Sequence, residues 1–189
     1  PVVIQAPPDI KANHPTGTEF LDAVPMSKMV HRTKAPVRTS NGMTQVCLIT
    51  WGADESTIYA NGDRTTQPGS IFAREGLSIV LCREDNFVRQ VEKTVSGETP
   101  YLRGTKDMIS AALEVLREHG IEMEEIYLHS RSTGGDTMVC RSDMVQKPSD
   151  LRGQYVGLQL YGPHMYFLAR ILKDNGLTIN DVKIRWLRE

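Results

Sequence analysis

The 189-residue chain predicts an α/β protein with mostly parallel strands, and three observations carry that expectation. Short apolar runs alternate with amphipathic helical stretches from Gln45 to Trp186, the order that builds layers of helix on sheet. The runs QVCLIT, LSIVLC and YVGLQL are nearly continuous in apolar residues, as strands buried on both faces are. The stretch from Lys147 to Leu187 contains a complete strand, helix and strand in succession.

In that stretch the first strand is Tyr155 to Leu160, bounded by Gly153 and by Gly162-Pro163. Pro163 suits the first helical position, where its missing N–H would have no partner. Met165, Leu168, Ala169 and Leu172 then fall at i, i+3, i+4 and i+7 and predict one buried face. Asn175-Gly176 ends the helix, and Leu177 is placed to fold back on its last turn. Val182, Ile184 and Trp186 alternate with Lys183 and Arg185 in the second strand, one face apolar and one wet. The turn Tyr161-Gly162-Pro163-His164 is the point of chemical interest. A helix start at the carboxyl end of a parallel strand offers free backbone N–H groups and positive potential to a small anionic or polar ligand. Most such turns bind nothing, and the alternative is that Gly162 and Pro163 only shape a tight turn.

Composition narrows the function classes. With 40% hydrophobic and 24% charged residues and a formal charge of −1, the chain has no general attraction for nucleic acid, and no nucleic-acid partner is expected. No apolar run approaches the ~20 residues that span a bilayer, and PVVIQAPPDI lacks the pattern of a signal peptide. Cys47, Cys82 and Cys140 are odd in number, and each lies in or at the end of an apolar run. All three are expected to be reduced and buried.

Taken in order, residues 1–43 are rich in Pro, Thr, Lys and Asn and read as an extended arm. Phe20, Leu21, Val24 and Met29 have the spacing to pack on a neighbour, but Pro25 argues against a regular helix from Thr18 to Met29. His14 and His31 have no ligand-spaced partners and read as surface residues. Gln45 to Thr50 is the first strand, and the loop from Trp51 through Gly52 and Asp54 to Thr57 follows it. An aromatic wall with polar fixing groups has the parts of a binding site, and a Trp that merely caps the core fits equally well. Asn61-Gly62-Asp63 is a turn, and a short helix from Ile71 to Glu75 is closed by Gly76. Leu77 to Cys82 is the second strand.

Asp85 is the expected cap of a helix that buries Phe87, Val88, Val91 and Val95. Asp107 to Glu118 is the clearest helix, with Met108, Ala112, Val115 and Leu116 on one face. Strands are predicted at Ile126 to His129 and Thr137 to Cys140. Between them Ser132, Thr133, Gly134, Gly135 and Asp136 have the makings of a ligand cradle, without the spacing of a phosphate loop or dinucleotide fingerprint. Lys147 to Leu151 reads as a helical turn. No nucleophile elbow, zincin helix, kinase or phosphate-loop signature occurs, so no cofactor is expected and catalysis has no motif behind it.

The run KPSDLRGQYVGLQLYGPHMYFLARILKDNGLTINDVKIRWL, with YANGDRTTQPGSIFAREGLSIVLCREDNFVRQVEKTVSGETPYLRGT and STGGDTMV, resembles the type II periplasmic solute-binding proteins. The branch is the one that serves nitrate, sulfonate and taurine importers and includes thiamine-precursor synthases. The resemblance covers about three quarters of the chain, from Thr44 onward. It implies two α/β lobes, 44–136 and the start of a second at 137–189, with a small solute held between them and a membrane permease of an ABC importer as partner. It further implies a periplasmic or extracellular, membrane-associated location. By position, Trp51, Gly52 and Asp54, the crossing at Ser132 to Asp136, and Tyr161, Gly162, Pro163 and His164 would face the solute. Members of the family continue beyond the strand matching Val182 to Leu187, so the second lobe is expected to be incomplete. Its remainder would then lie in a longer protein or in another copy of the chain. The rival expectations are a small-molecule enzyme on the same fold, with His164, Asp136 or a cysteine as reacting group, and a structural protein without a ligand.

Overall fold

Two small sheets and two apolar cores organise residues 20–32 and 42–187, which the computed structural model describes. In the first sheet β2 (Thr44–Leu48) and β3 (Ile79–Arg83) pair in parallel, from Thr44 opposite Ile79 to Leu48 opposite Arg83. In the second, β4 (Tyr155–Gln159) and β5 (Lys183–Leu187) are parallel, and β1 (Phe20–Leu21) joins antiparallel on the far side of β5. The helices are α1 (Met26–Met29), α2 (Glu55–Asn61), α3 (Ile71–Arg74), α4 (Phe87–Val95), α5 (Lys106–Glu118) and α6 (His164–Asp174). Among the described residues none is long and apolar enough to cross a membrane.

The first core is built by α4 and α5. Phe87, Val88, Val91 and Val95 meet Met108, Ala112, Val115 and Leu116, all buried, with Met26 and Val30 added from the N-terminal segment. Both helices are capped by side chains that the backbone needs there: Asn86 accepts from Arg89 N–H and Thr105 from Met108 N–H. Asp85, the expected cap, instead takes the Thr50 N–H at 2.6 Å and the Thr50 hydroxyl at 3.0 Å, tying the end of β2 to the end of β3. Burial alone would raise its pKa, but these bonds and Arg83 outweigh it and leave the carboxyl below its usual range. The contribution of the tie is therefore full at neutral pH and is lost as pH falls through the carboxylate range.

The second core packs α6 on the apolar faces of β4 and β5. Val156, Leu158 and Val182 are buried with Leu151, Leu168, Leu172 and Leu177, and Ile184 and Trp186 lie beside them. Leu177 folds back as predicted, its N–H reaching the Leu172 carbonyl at 2.8 Å. Ala169 does not belong to the buried face. The row that meets the sheet runs through Met165, Leu168, Ile171 and Leu172, and Ala169 is exposed beside it.

Several expectations are corrected. Ile126 to His129 and Thr137 to Cys140 are not strands, and no backbone–backbone hydrogen bond of the described residues involves 122–140. A strand forms only where a neighbour supplies bonding partners, and part of β2's capacity is met by a side chain, the Thr99 hydroxyl donating to the Gln45 carbonyl at 2.9 Å. The stretch after Trp51 is a helical turn, Gly52–Asp54, leading into α2 rather than a loop. The Pro25 signal acts as read, since α1 starts only at Met26. His31 is exposed, while His14 lies outside the described residues.

The cysteines depart furthest from expectation. Cys47 and Cys82 face each other in the β2–β3 register with Cα atoms 4.4 Å apart and form a disulfide. Cys140 is a free, exposed thiol. Neighbouring apolar residues placed Cys47 in the core but misplaced Cys140, and only the pairing of two distant strands says what a cysteine faces.

Candidate functional site

The polar groups predicted to surround a ligand form two clusters. The first gathers on the turn after β2. Asp54 is 2% exposed and its carboxylate is fully engaged: Oδ2 accepts from Ile49 N–H at 3.2 Å and Oδ1 from Arg103 Nε at 2.8 Å. Arg103 in turn lies over the Trp51 ring, 5.7 Å from its centroid, an arrangement that holds the indole against the first core. His129 completes the group with Nδ1 4.0 Å from Asp54 Oδ1. That nitrogen is buried and has no hydrogen-bond partner among the described residues.

Burial and then the charge of Arg103 push the His129 pKa below the usual imidazole range, against the opposing pull of Asp54 and the Ala53 carbonyl. The sign of the consequence follows. Below about pH 6.5 the unfolded chain binds a proton that the folded imidazole resists. Stability should therefore fall as pH drops from neutrality through that value, until the folded imidazole also titrates. Thermal melts from pH 7.5 to 5 should show this decline, and His129→Phe should flatten it in that window while leaving the Asp85 effect at lower pH in place. A His129→Phe profile identical to the parent's would remove His129 as the cause.

The second cluster joins the crossing loop to the start of α6. His164 Nε2 lies 3.4 Å from Asp136 Oδ1, with both side chains well exposed, so the structure does bring together two of the predicted loops. Ser132, Thr133, Gly134 and Gly135 are exposed, and the Ser132 hydroxyl accepts from Gly135 N–H at 3.3 Å. Among the described residues no hydrogen bond or ion pair joins the Trp51–Asp54 turn to Gly162–His164.

The turn between β4 and α6 shows why its glycine is there. Gly162 is buried, and a Cβ on it would meet Gln159 Oε1 at 2.9 Å and Gln159 Cβ at 3.2 Å. Tyr161 before it has φ of 61°, a costly conformation for a residue with a side chain. Its ring pays this back by reaching across to the first core, where its hydroxyl donates to the Val24 carbonyl at 2.7 Å. Burial raises the pKa of that phenol, against a backbone hydrogen bond at Met26. Tyr161 is thus a brace between the two cores. Pro163, immediately before His164, has the helical φ and ψ of −63° and −23° expected of a residue entering the first turn of α6.

Beside this brace lies a cavity of about 260 Å³. One wall is the first turn of α4 with Asn86, Phe87, Val88, Arg89 and Glu92; the facing wall is Gln159 and Leu160 at the end of β4 and Leu187 at the end of β5. Leu21 and Met29 of the N-terminal segment close it. The cavity therefore sits at the carboxyl ends of β4 and β5, against the start of the helix that follows β3, and the carboxyl end of a parallel pair is where open α/β sheets hold ligands. None of the twelve predicted site residues lines it; Tyr161 is the next residue after Leu160. The signal that could have found its α4 wall was CREDNF, a second strand-to-helix turn of the same kind. Its neighbour across the cavity could not be read from local sequence.

Fold and site together define a mixed α/β protein with parallel strand pairs and a cavity between two packed cores. The family model described as NMT1/THI5 like matches residues 69–186. The chain belongs to this family, a branch of the type II periplasmic binding proteins for nitrate, sulfonate and thiamine precursors. No curated protein and no solved structure matches the chain.

Proposed function

We propose that the protein is a solute-binding component of an ABC-type importer, taking a small polar or anionic solute between two α/β lobes and passing it to a membrane permease. The observation that carries this is the cavity between the carboxyl ends of β4 and β5 and the start of α4. The division into lobes at 44–136 and 137–189 is supported by the separate cores, with Met138, just past that boundary, packing on the second. The solute's polar end meets Arg89 and Gln159, and the rim is supplied by the turn Tyr161–His164 and the loop Ser132–Asp136. A periplasmic or extracellular location is supported by the Cys47–Cys82 disulfide, since such bonds persist in oxidising compartments.

Native mass spectrometry of the purified chain, followed by release of whatever it carries, is the direct test. Release of a solute that rebinds unchanged is the expected result. Conversion to a different molecule would favour the thiamine-precursor synthase-like enzyme, and absence of any bound or rebinding solute would leave an interaction protein. With the released solute in calorimetry, Arg89→Ala should weaken binding by about 1.5–3 kcal/mol, the worth of a hydrogen bond to a charged group, without lowering the melting temperature, because Arg89 is exposed. Gly162→Leu must displace Gln159, so its effect on binding is read only alongside its melting temperature.

A further inference from the structure

Two exposed surfaces of opposite charge, one on each core, have no partner among the described residues. On the second sheet the face turned away from α6 lines the cavity at its carboxyl end through Gln159 and Leu187, but at its amino-terminal half Gly157, Lys183 and Arg185 are exposed among the described residues. Lys183 and Arg185 lie over the Tyr155 ring, 5.2 and 4.8 Å from its centroid, both exposed. Neither is ion-paired with an acidic side chain among the described residues. Gly157 between them is exposed, and a Cβ there would meet only Leu187 Cδ1 at 3.7 Å, so a partner can approach the strand closely. Parallel strands are ordinarily covered on both faces. Here one face is apolar and packed, and the amino-terminal half of the other is basic and exposed.

The opposite surface is the segment after α5. Ile126, Tyr127 and Leu128 are 73%, 68% and 45% exposed, and no backbone–backbone hydrogen bond of the described residues engages them. Just before them, Glu122 and Glu124 are exposed and without a basic partner among the described residues, whereas Glu125 is held by Lys106 at 3.0 Å. An acidic end followed by bulky apolar residues complements a basic face that has an aromatic ring and a glycine floor. Both halves belong to the same chain.

We propose that they are the two halves of an interface between two copies of this chain. Glu122–Leu128 of one copy lies across the exposed amino-terminal half of the β4–β5 face of the other, Glu122 and Glu124 meet Lys183 and Arg185, and the apolar side chains cover Tyr155 and Gly157. Made reciprocally, the contact closes into a two-fold pair. The interface does not depend on the solute-binding function, because none of these residues lines the cavity.

Sedimentation velocity of the purified chain over a range of concentrations, at low and at high salt, tests the interface. A dimer that weakens with salt is expected, since exposed charges carry part of the contact. Lys183→Glu with Arg185→Glu, and separately Glu122→Lys with Glu124→Lys, should each lower the association constant at least about tenfold through like-charge contacts. Mixing the two variants should restore pairing. All four positions are exposed, and unchanged thermal melts would show that each variant folds. A chain that is monomeric at every concentration and salt, a dimer indifferent to both reversals, or reversed variants that fail to pair when mixed would each overturn the proposal.

Discussion

Replacing Cys47 and Cys82 by serine, or reducing the bond between them, is expected to lower the unfolding free energy by about 3–4 kcal/mol, as chain entropy gives for a closed loop of this length. The bond spans 35 residues and joins directly opposed positions of β2 and β3. A two-stranded sheet is marginal on its own, and this one also carries the Thr50–Asp85 tie at its carboxyl end. Urea unfolding of the parent with and without reductant, beside the double serine variant, measures the effect. The serine variant should be insensitive to reductant and match the reduced parent. Native thiol titration should find one reactive group, the exposed Cys140. Three reactive thiols in the oxidised protein, or equal stability with and without reductant, would show that the bond does not form.

Asp54→Ala is expected to cost about 3–5 kcal/mol, the loss that follows when one partner of a buried ion pair is removed. The side chains of Arg103 and Asp54 are only 15% and 3% exposed, so the guanidinium would be stranded over Trp51 and the Ile49 N–H left without its acceptor. Arg103→Ala strands the carboxylate instead. The double variant should be less destabilised than the sum of the singles, because each single leaves an uncompensated charge that the other removes. A urea-unfolding cycle of the four proteins gives the coupling directly. Strict additivity would mean that Asp54 and Arg103 act independently, and that the turn after β2 is held by packing alone.

The amphipathic helices were legible because their contacts are local and periodic. The face Met108, Ala112, Val115 and Leu116 of α5 and the face Phe87, Val88, Val91 and Val95 of α4 are buried as read. The Asn175-Gly176 stop and the β5 alternation also follow from neighbours in sequence. The candidate site was legible only at one wall. A strand-to-helix turn announces itself at Gly162-Pro163, and the structure places the cavity just before it, against Gln159 and Leu160. Asp54 had the composition of a ligand group, yet its oxygens are taken by Ile49 and Arg103. That use depends on Arg103, 49 residues away, and nothing near Asp54 in the chain records it.

The sequence by itself determined the amphipathic helices α4, α5 and α6 and most of their buried faces, that the paired strands are mostly parallel, and which family the chain resembles. These are written in spacing and turn residues, where each residue's energy depends on neighbours within a turn or two. Tertiary structure alone decided that Cys47 meets Cys82, that Ile126–His129 joins no strand among the described residues, that Tyr161 takes a strained backbone to brace the two cores, and that α4 and the end of β4 enclose one cavity. Each of these is set by packing between segments far apart in the chain, and such contacts leave no period in the sequence from which they could be read.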